Sequence, residues 1–180
     1  MASGNLGDLE YRKFDPHSKS VKTVSYSNFQ IHEGNHYFYK TVIPFNGADN
    51  EIQYFMFTTP NTDTRIHANV RFSSSVEMEV SINEGGTVSD NGTTITTFNN
   101  DRNSENTPGL TAYAGPTVTT LGTEIWKARS GDGKTPSGVS PSLSYEIVPA
   151  KNEKYIYKIQ KLVTNTGYID VDFWWHEDTV

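Results

Sequence analysis

The chain has 180 residues, 34% hydrophobic and 12% aromatic, with 21 Asp and Glu against 15 Lys and Arg for a formal charge of −6. That length predicts one domain able to bury about 70% of the surface its unfolded form exposes, and acidity without a basic stripe argues against a nucleic-acid partner. With no cysteine there is no disulfide framework and no thiolate metal site, so 10 Tyr, 9 Phe and 3 Trp must build a core from few, large side chains.

Residues 1–20 are polar, contain Gly4, Gly7 and Pro16, and follow neither hydrophobic period, so they are expected to form an extended arm outside the core. The start lacks the apolar run of a signal sequence, and no stretch approaches the ~20 apolar residues that cross a bilayer. The expectation is a protein made and kept in a cytoplasm, or released by lysis, with no membrane partner. Residues 21–31 are rich in Val, Tyr and Phe and read as a strand, turning at Glu33-Gly34-Asn35 into a second strand over 35–45. There Tyr37, Tyr39 and Thr41 share one face, and Phe38, Lys40 and Val42 the other. Asn46-Gly47 breaks the run, residues 51–58 (EIQYFMFT) are apolar enough for a central strand buried on both faces, and Pro60 closes it.

Ile66, Ala68, Val70 and Phe72 alternate with more polar neighbours, and residues 75–84 give the strongest period of two, with Val76, Met78, Val80 and Ile82 inward and Glu77, Glu79 and Ser81 outward. A tight turn at Asp90-Asn91-Gly92 leads into a strand at TTITTF (93–98), followed by a polar loop over 99–109 ending in Pro108-Gly109. Further strands are expected at 116–121, at 122–129 around Trp126, and at 143–148, with a mobile loop at 130–141. Strands over 154–163 and 168–175 finish the chain, joined at Asn165-Thr166-Gly167; Ile169, Val171, Phe173 and Trp175 face one way, Asp170 and Asp172 the other. Eight to ten short strands without a convincing amphipathic helix predict an all-β fold: a single jelly-roll-like antiparallel β-sandwich over 21–180.

Motifs for chemistry are weak. His32-Glu33-Gly34-Asn35-His36 spells H-E-x-x-H, which binds zinc when a helix sets both imidazoles on one face. Gly34, Asn35 and strand-like flanks argue against that helix, so no metal and no cofactor are expected there. Gly131-Asp132-Gly133-Lys134-Thr135 resembles the end of a phosphate-binding loop, but Ala128 stands where that motif needs glycine and Pro136 obstructs the following helix. Asp170 and Asp172 read as a solvated face, Asn91-Gly92-Thr93 is a glycosylation sequon by letters only, and no catalytic triad is recognisable. The reading is a non-enzymatic protein. Two stretches suit partner contact: the arm cluster Tyr11, Arg12, Lys13 and Phe14, which mixes apolar area with positive charge, and Asn100, Asp101, Arg102 and Asn103 in the polar loop.

The run NGTTITTFNNDRNSENTPGLTAYAGPTVTTLGTEIW, the Gly-rich loop after it, the PAKNEKY turn, TNTG and the closing FWWHE, with IHEGNHYF near the front, resemble tailed-bacteriophage virion proteins. Within that group the chain is similar to jelly-roll capsid decoration, or cement, proteins. The resemblance covers about residues 26–177 and implies a non-catalytic homotrimer on the outer surface of the capsid, bridging major capsid protein subunits after synthesis in the host bacterial cytoplasm. A receptor- or glycan-binding module of a tail or fibre is the alternative, with Trp174 and Trp175 among its candidate platforms.

Overall fold

The computed structural model describes residues 12–14, 21–23, 26–48, 50–130 and 143–178. In chain order the elements are β1 (Arg12–Phe14), β2 (Val21–Thr23), α1 (Tyr26–His32), β3 (His36–Phe45), β4 (Ile52–Thr58), β5 (Arg65–Ser74), β6 (Met78–Glu84), β7 (Thr87–Asp90), β8 (Thr93–Thr94) and β9 (Phe98–Asn99). They continue with β10 (Thr111–Ala114), β11 (Thr117–Thr120), β12 (Thr123–Ser130), β13 (Leu143–Ile147), β14 (Lys154–Lys161) and β15 (Gly167–Asp178). Among the described residues, fifteen strands therefore replace the eight to ten expected, the excess being short pieces around the polar loop and in front of α1.

Among the described residues all strand pairings are antiparallel. A six-stranded sheet runs β12-β6-β14-β4-β10-β8, a five-stranded sheet β13-β5-β15-β3-β9. Among the eight long strands the first pairs with the last (β3 with β15), the second with the seventh (β4 with β14), the third with the sixth (β5 with β13) and the fourth with the fifth (β6 with β12). An eight-strand ribbon folded back on itself in this way, with successive pairs assigned to opposite sheets, is a jelly roll. Between β6 and β12 the ribbon opens into an excursion that holds β7 to β11.

The alternation read from the sequence sets the faces. Phe55, Phe57, Met78, Val80, Ile82, Tyr155, Tyr157 and Ile159 line the inner face of one sheet; Tyr37, Ile66, Val70, Phe72, Ile169, Val171, Phe173 and Trp175 line the other. Their rings interlock, with Phe57 stacked on Tyr155 at 4.9 Å and Phe173 against Trp175 at 5.2 Å. Each such side chain contributes about 1.5–3 kcal/mol by leaving water, which is how so few hydrophobic residues sustain one core. β4 is buried on both faces as its sequence implied: Met56, wholly buried, alternates away from that core beside Ile156.

Three expectations are corrected. Residues 26–31 are helix rather than strand, and Glu33-Gly34-Asn35 is a helix end instead of a hairpin corner. Glu33 N donates to Phe29 O, Gly34 N to Ile31 O and Asn35 N to Gln30 O, with Gly34 at φ +72°: a Schellman cap whose left-handed residue is glycine because a Cβ is disfavoured there. The TTITTF stretch is not one strand either. It is divided into β8 in the six-stranded sheet and β9 in the five-stranded sheet, because the chain crosses between layers at Ile95 to Thr97. Ser81 lies on the outer face as its alternation with Val80 and Ile82 implied, yet it is buried there: Asn83 Nδ2 donates to its hydroxyl at 3.1 Å and to Ile156 O at 3.2 Å, so the polar pair satisfies itself under cover.

β1 and β2 form a separate two-stranded ladder, Arg12 opposite Thr23 and Phe14 opposite Val21, so part of the arm is paired. The phosphate-loop-like GDGKT lies outside the described residues. So does most of 1–20.

Candidate functional site

The polar loop and both chain segments flanking H-E-x-x-H meet at one end of the sandwich. β9 joins the loop to β3 through the pairs Phe38 with Phe98 and Tyr37 with Asn99. The loop is then folded by its own amides. Asn99 Nδ2 donates to Gly34 O at 2.7 Å, Asn100 N to His36 O at 2.9 Å, and Asn106 Nδ2 to Asn35 Oδ1 at 3.2 Å. Asp101 Oδ1 accepts from Asn103 N at 3.0 Å. At the far end the Glu177 carboxylate accepts from Gly109 N at 2.9 Å, Leu110 N at 3.1 Å and Trp175 Nε1 at 2.9 Å, which fastens the loop to β15. A polar, open groove of about 420 Å3 lies between loop and strand ends, lined by Asn35, Tyr37, Thr64, Glu105, Asn106, Thr107 and Glu177.

The four loop residues singled out in the sequence fall into two pairs. Asn100 and Asp101 hold the loop's shape, Asn100 while itself exposed, and Arg102 and Asn103 are exposed as well. The Arg102 guanidinium sits 5.3 Å from the ring centroid of Phe98, itself 41% exposed, so the loop presents an aromatic ring capped by a cation. Of the arm cluster, Tyr11 lies outside the described residues; Arg12, Lys13 and Phe14 are β1.

The Schellman turn splits H-E-x-x-H. His32 is exposed in the last turn of α1, whereas His36 is buried at the start of β3. His36 instead joins two histidines that the sequence reading did not connect. The register places His36 opposite His176 and His176 opposite His67, a rung across β3, β15 and β5 on the outer face of the five-stranded sheet. Ring centroids are 6.3 Å apart for His36 and His176, and 4.6 Å for His67 and His176. α1 covers the rung: Tyr26 meets His176 edge-on at 5.3 Å, and Tyr26 Oη and Gln30 Nε2 each donate to the Asp178 carboxylate at 2.6 Å.

Burial favours the neutral form of the rung's two buried histidines. Burial pushes the His36 pKa down, and the neighbouring His176 pushes the same way. Burial likewise lowers that of His176, against the upward pull of Asp178. Asn100 Nδ2 lies 2.7 Å from His36 Nδ1, tying the rung to the polar loop.

No known family model, curated protein or solved structure matches this chain.

Two rungs further along the same face, Lys40, Asp172 and Arg71 stand side by side. Asp172 takes Arg71 Nη2 at 2.6 Å and Lys40 Nζ at 3.1 Å, so it is a shielded, doubly paired carboxylate rather than the solvated acid expected. Asp170 is half-buried. Phe38, Trp174, Lys40, Arg71 and Asp172 border a shallow groove of about 240 Å3. Trp175, the other candidate platform, is wholly buried in the core.

Proposed function

We propose that this chain is a non-catalytic virion structural protein that decorates the outside of a tailed-bacteriophage capsid and bridges major capsid protein subunits. The observation that carries the reading is the pre-folded polar loop. Its backbone is held by β3, α1 and β15, while Phe98, Arg102 and Asn103 project outward, so little ordering entropy remains to be lost on contact. Large rings beside a guanidinium are the residue types that dominate protein contacts. The resemblance to cement proteins runs through this same loop. As a homotrimer on a symmetric lattice, each copy needs modest affinity, since valency multiplies it.

The test is binding to undecorated capsids. The wild-type chain is expected to bind at regular lattice positions, and the double substitution Phe98→Ala, Arg102→Ala to weaken binding at least about tenfold with an unchanged circular dichroism spectrum. Binding unaffected by that pair removes the loop from the interface. A glycan- or receptor-binding role on a tail or fibre is supported by one observation, the groove where Trp174 and Phe38 stand beside Asp172, Lys40 and Arg71. Copies found on tails, with glycan binding lost on Trp174→Ala, favour that second reading.

A further inference from the structure

We propose that His67, His176 and Asp178 form a binding site for one divalent transition-metal ion of the zinc class, beneath α1 on the outer face of the five-stranded sheet. The inference stands apart from capsid attachment. It begins with strand geometry: His176 and Asp178 are two residues apart on β15 and share a face, and His67 is opposite His176 on β5. Their donor atoms all lie within 4.8 Å of one another. A tetrahedral ion bound at about 2.0–2.1 Å holds its donors roughly 3.4 Å apart, so closing the site takes side-chain rotation and no movement of strands.

The independent observation is an unpartnered donor. His176 is 9% exposed, and its Nε2 is buried without a hydrogen-bond partner among the described residues. Such an atom costs about 1–3 kcal/mol when left unpaired, and a metal ion satisfies it. The other two ligands stand beside it. His67 Nε2 lies 3.9 Å from Asp178 Oδ2, and its Nδ1 lies 3.8 Å from Glu146 Oε1, a carboxylate near enough to accept from the ring once it turns. Asp178 is held through both oxygens by Tyr26 and Gln30. Two imidazoles and one carboxylate suit zinc and its neighbours rather than magnesium or calcium, which want oxygen alone. The two rings are now stacked 10° from parallel, and a shared ion must lie in the plane of each. Binding therefore turns the His67 ring, whose side chain is 27% exposed and free on one side to move. The ion would join β5 to β15 directly and α1 through the carboxylate, so its expected role is to fasten the helix to the sheet.

The experiment uses the full chain, freed of metal with a chelator and titrated near neutral pH with Zn2+ by calorimetry and with Co2+ by visible absorption. One equivalent of each should bind, with Co2+ giving the ligand-field bands of a four- or five-coordinate site. Excess Zn2+ at 100 times Kd should raise Tm by about 5–10 °C. His67→Ala and Asp178→Asn should each weaken binding about 100-fold or more and abolish the Tm rise while leaving the dichroism spectrum unchanged. His32→Ala should change nothing. The proposal is overturned by an absence of stoichiometric binding, by binding that survives both ligand substitutions, or by binding that depends on His32. Capsid binding measured with chelator present tests the attachment reading separately, so failure of one does not imply failure of the other.

Discussion

A buried phenol shows how single residues set the conditions under which this sandwich survives. Tyr37 is 2% exposed at the start of β3, and burial together with the nearby Glu177 carboxylate pushes its pKa up to about 12. Tyr155, whose hydroxyl accepts from Ala150 N and donates to Glu84, is shifted in the same direction by burial first and by that carboxylate second. A folded-state pKa above the unfolded value of about 10 means that folding favours the protonated phenol. The stability this contributes is complete below pH 10 and is lost as pH rises toward 12. Urea midpoints measured from pH 8 to 12, with phenolate absorbance followed alongside, should therefore hold level and then fall above pH 10; Tyr37→Phe should reduce the fall. That Tyr37 shares a face with Tyr39 was legible from alternation, because a strand offers only two faces; which of the two turns inward was not, since both carry an aromatic ring. Nor was the histidine rung. His36, His67 and His176 are far apart in sequence, and only the register of β3, β15 and β5 makes them neighbours.

At the scale of elements, α1 was misread because seven residues carry little propensity, and Tyr26, Phe29 and Ile31 fit a strand as well as a helix. The available signal lay at the end of the run, where His32 occupies the last turn and Gly34 follows in the position that stops helices. That glycine has a second constraint. A Cβ at Gly34 would stand 2.2 Å from Ser104 Oγ and 2.7 Å from Ser104 Cβ, so the helix cap and the polar loop occupy adjoining space. Gly34→Ala is expected to cost about 1–2 kcal/mol for the left-handed backbone alone, and to push the loop off its seat. Chemical denaturation should report the stability loss. Hydrogen exchange should show faster exchange of the amides over 99–109 while those of β4 and β14 slow or quicken only with global stability. If the loop amides remain as protected as before, cap and loop are uncoupled. The division of TTITTF has a similar origin: β-branched residues predict extended chain, but nothing local says that the chain changes sheets at Ile95.

For the whole molecule, the jelly roll followed from many short alternating strands, whereas the pairing of first with last strand joins segments more than a hundred residues apart, which no local pattern encodes. The same topology bears on the arm. Among the described residues the core cluster runs from Tyr37 to Trp175, and the β1–β2 ladder pairs with neither sheet of the sandwich. Removing residues 1–20 deletes β1 and leaves every long strand, the α1 cap and the loop's hydrogen bonds intact. The truncated chain is expected to keep its Tm within about 2 °C and its dichroism spectrum, apart from the signal of the lost ladder. If the cluster Tyr11, Arg12, Lys13 and Phe14 anchors the chain to a neighbouring capsid subunit, the truncation should weaken binding to undecorated capsids at least as much as Phe98→Ala with Arg102→Ala. Because the arm and the loop are separate elements, the two changes combined should add in free energy, so that their fold-losses multiply. Less than multiplied loss means that both touch one surface patch on the partner. Equal affinity with and without the arm assigns the contact to the loop alone.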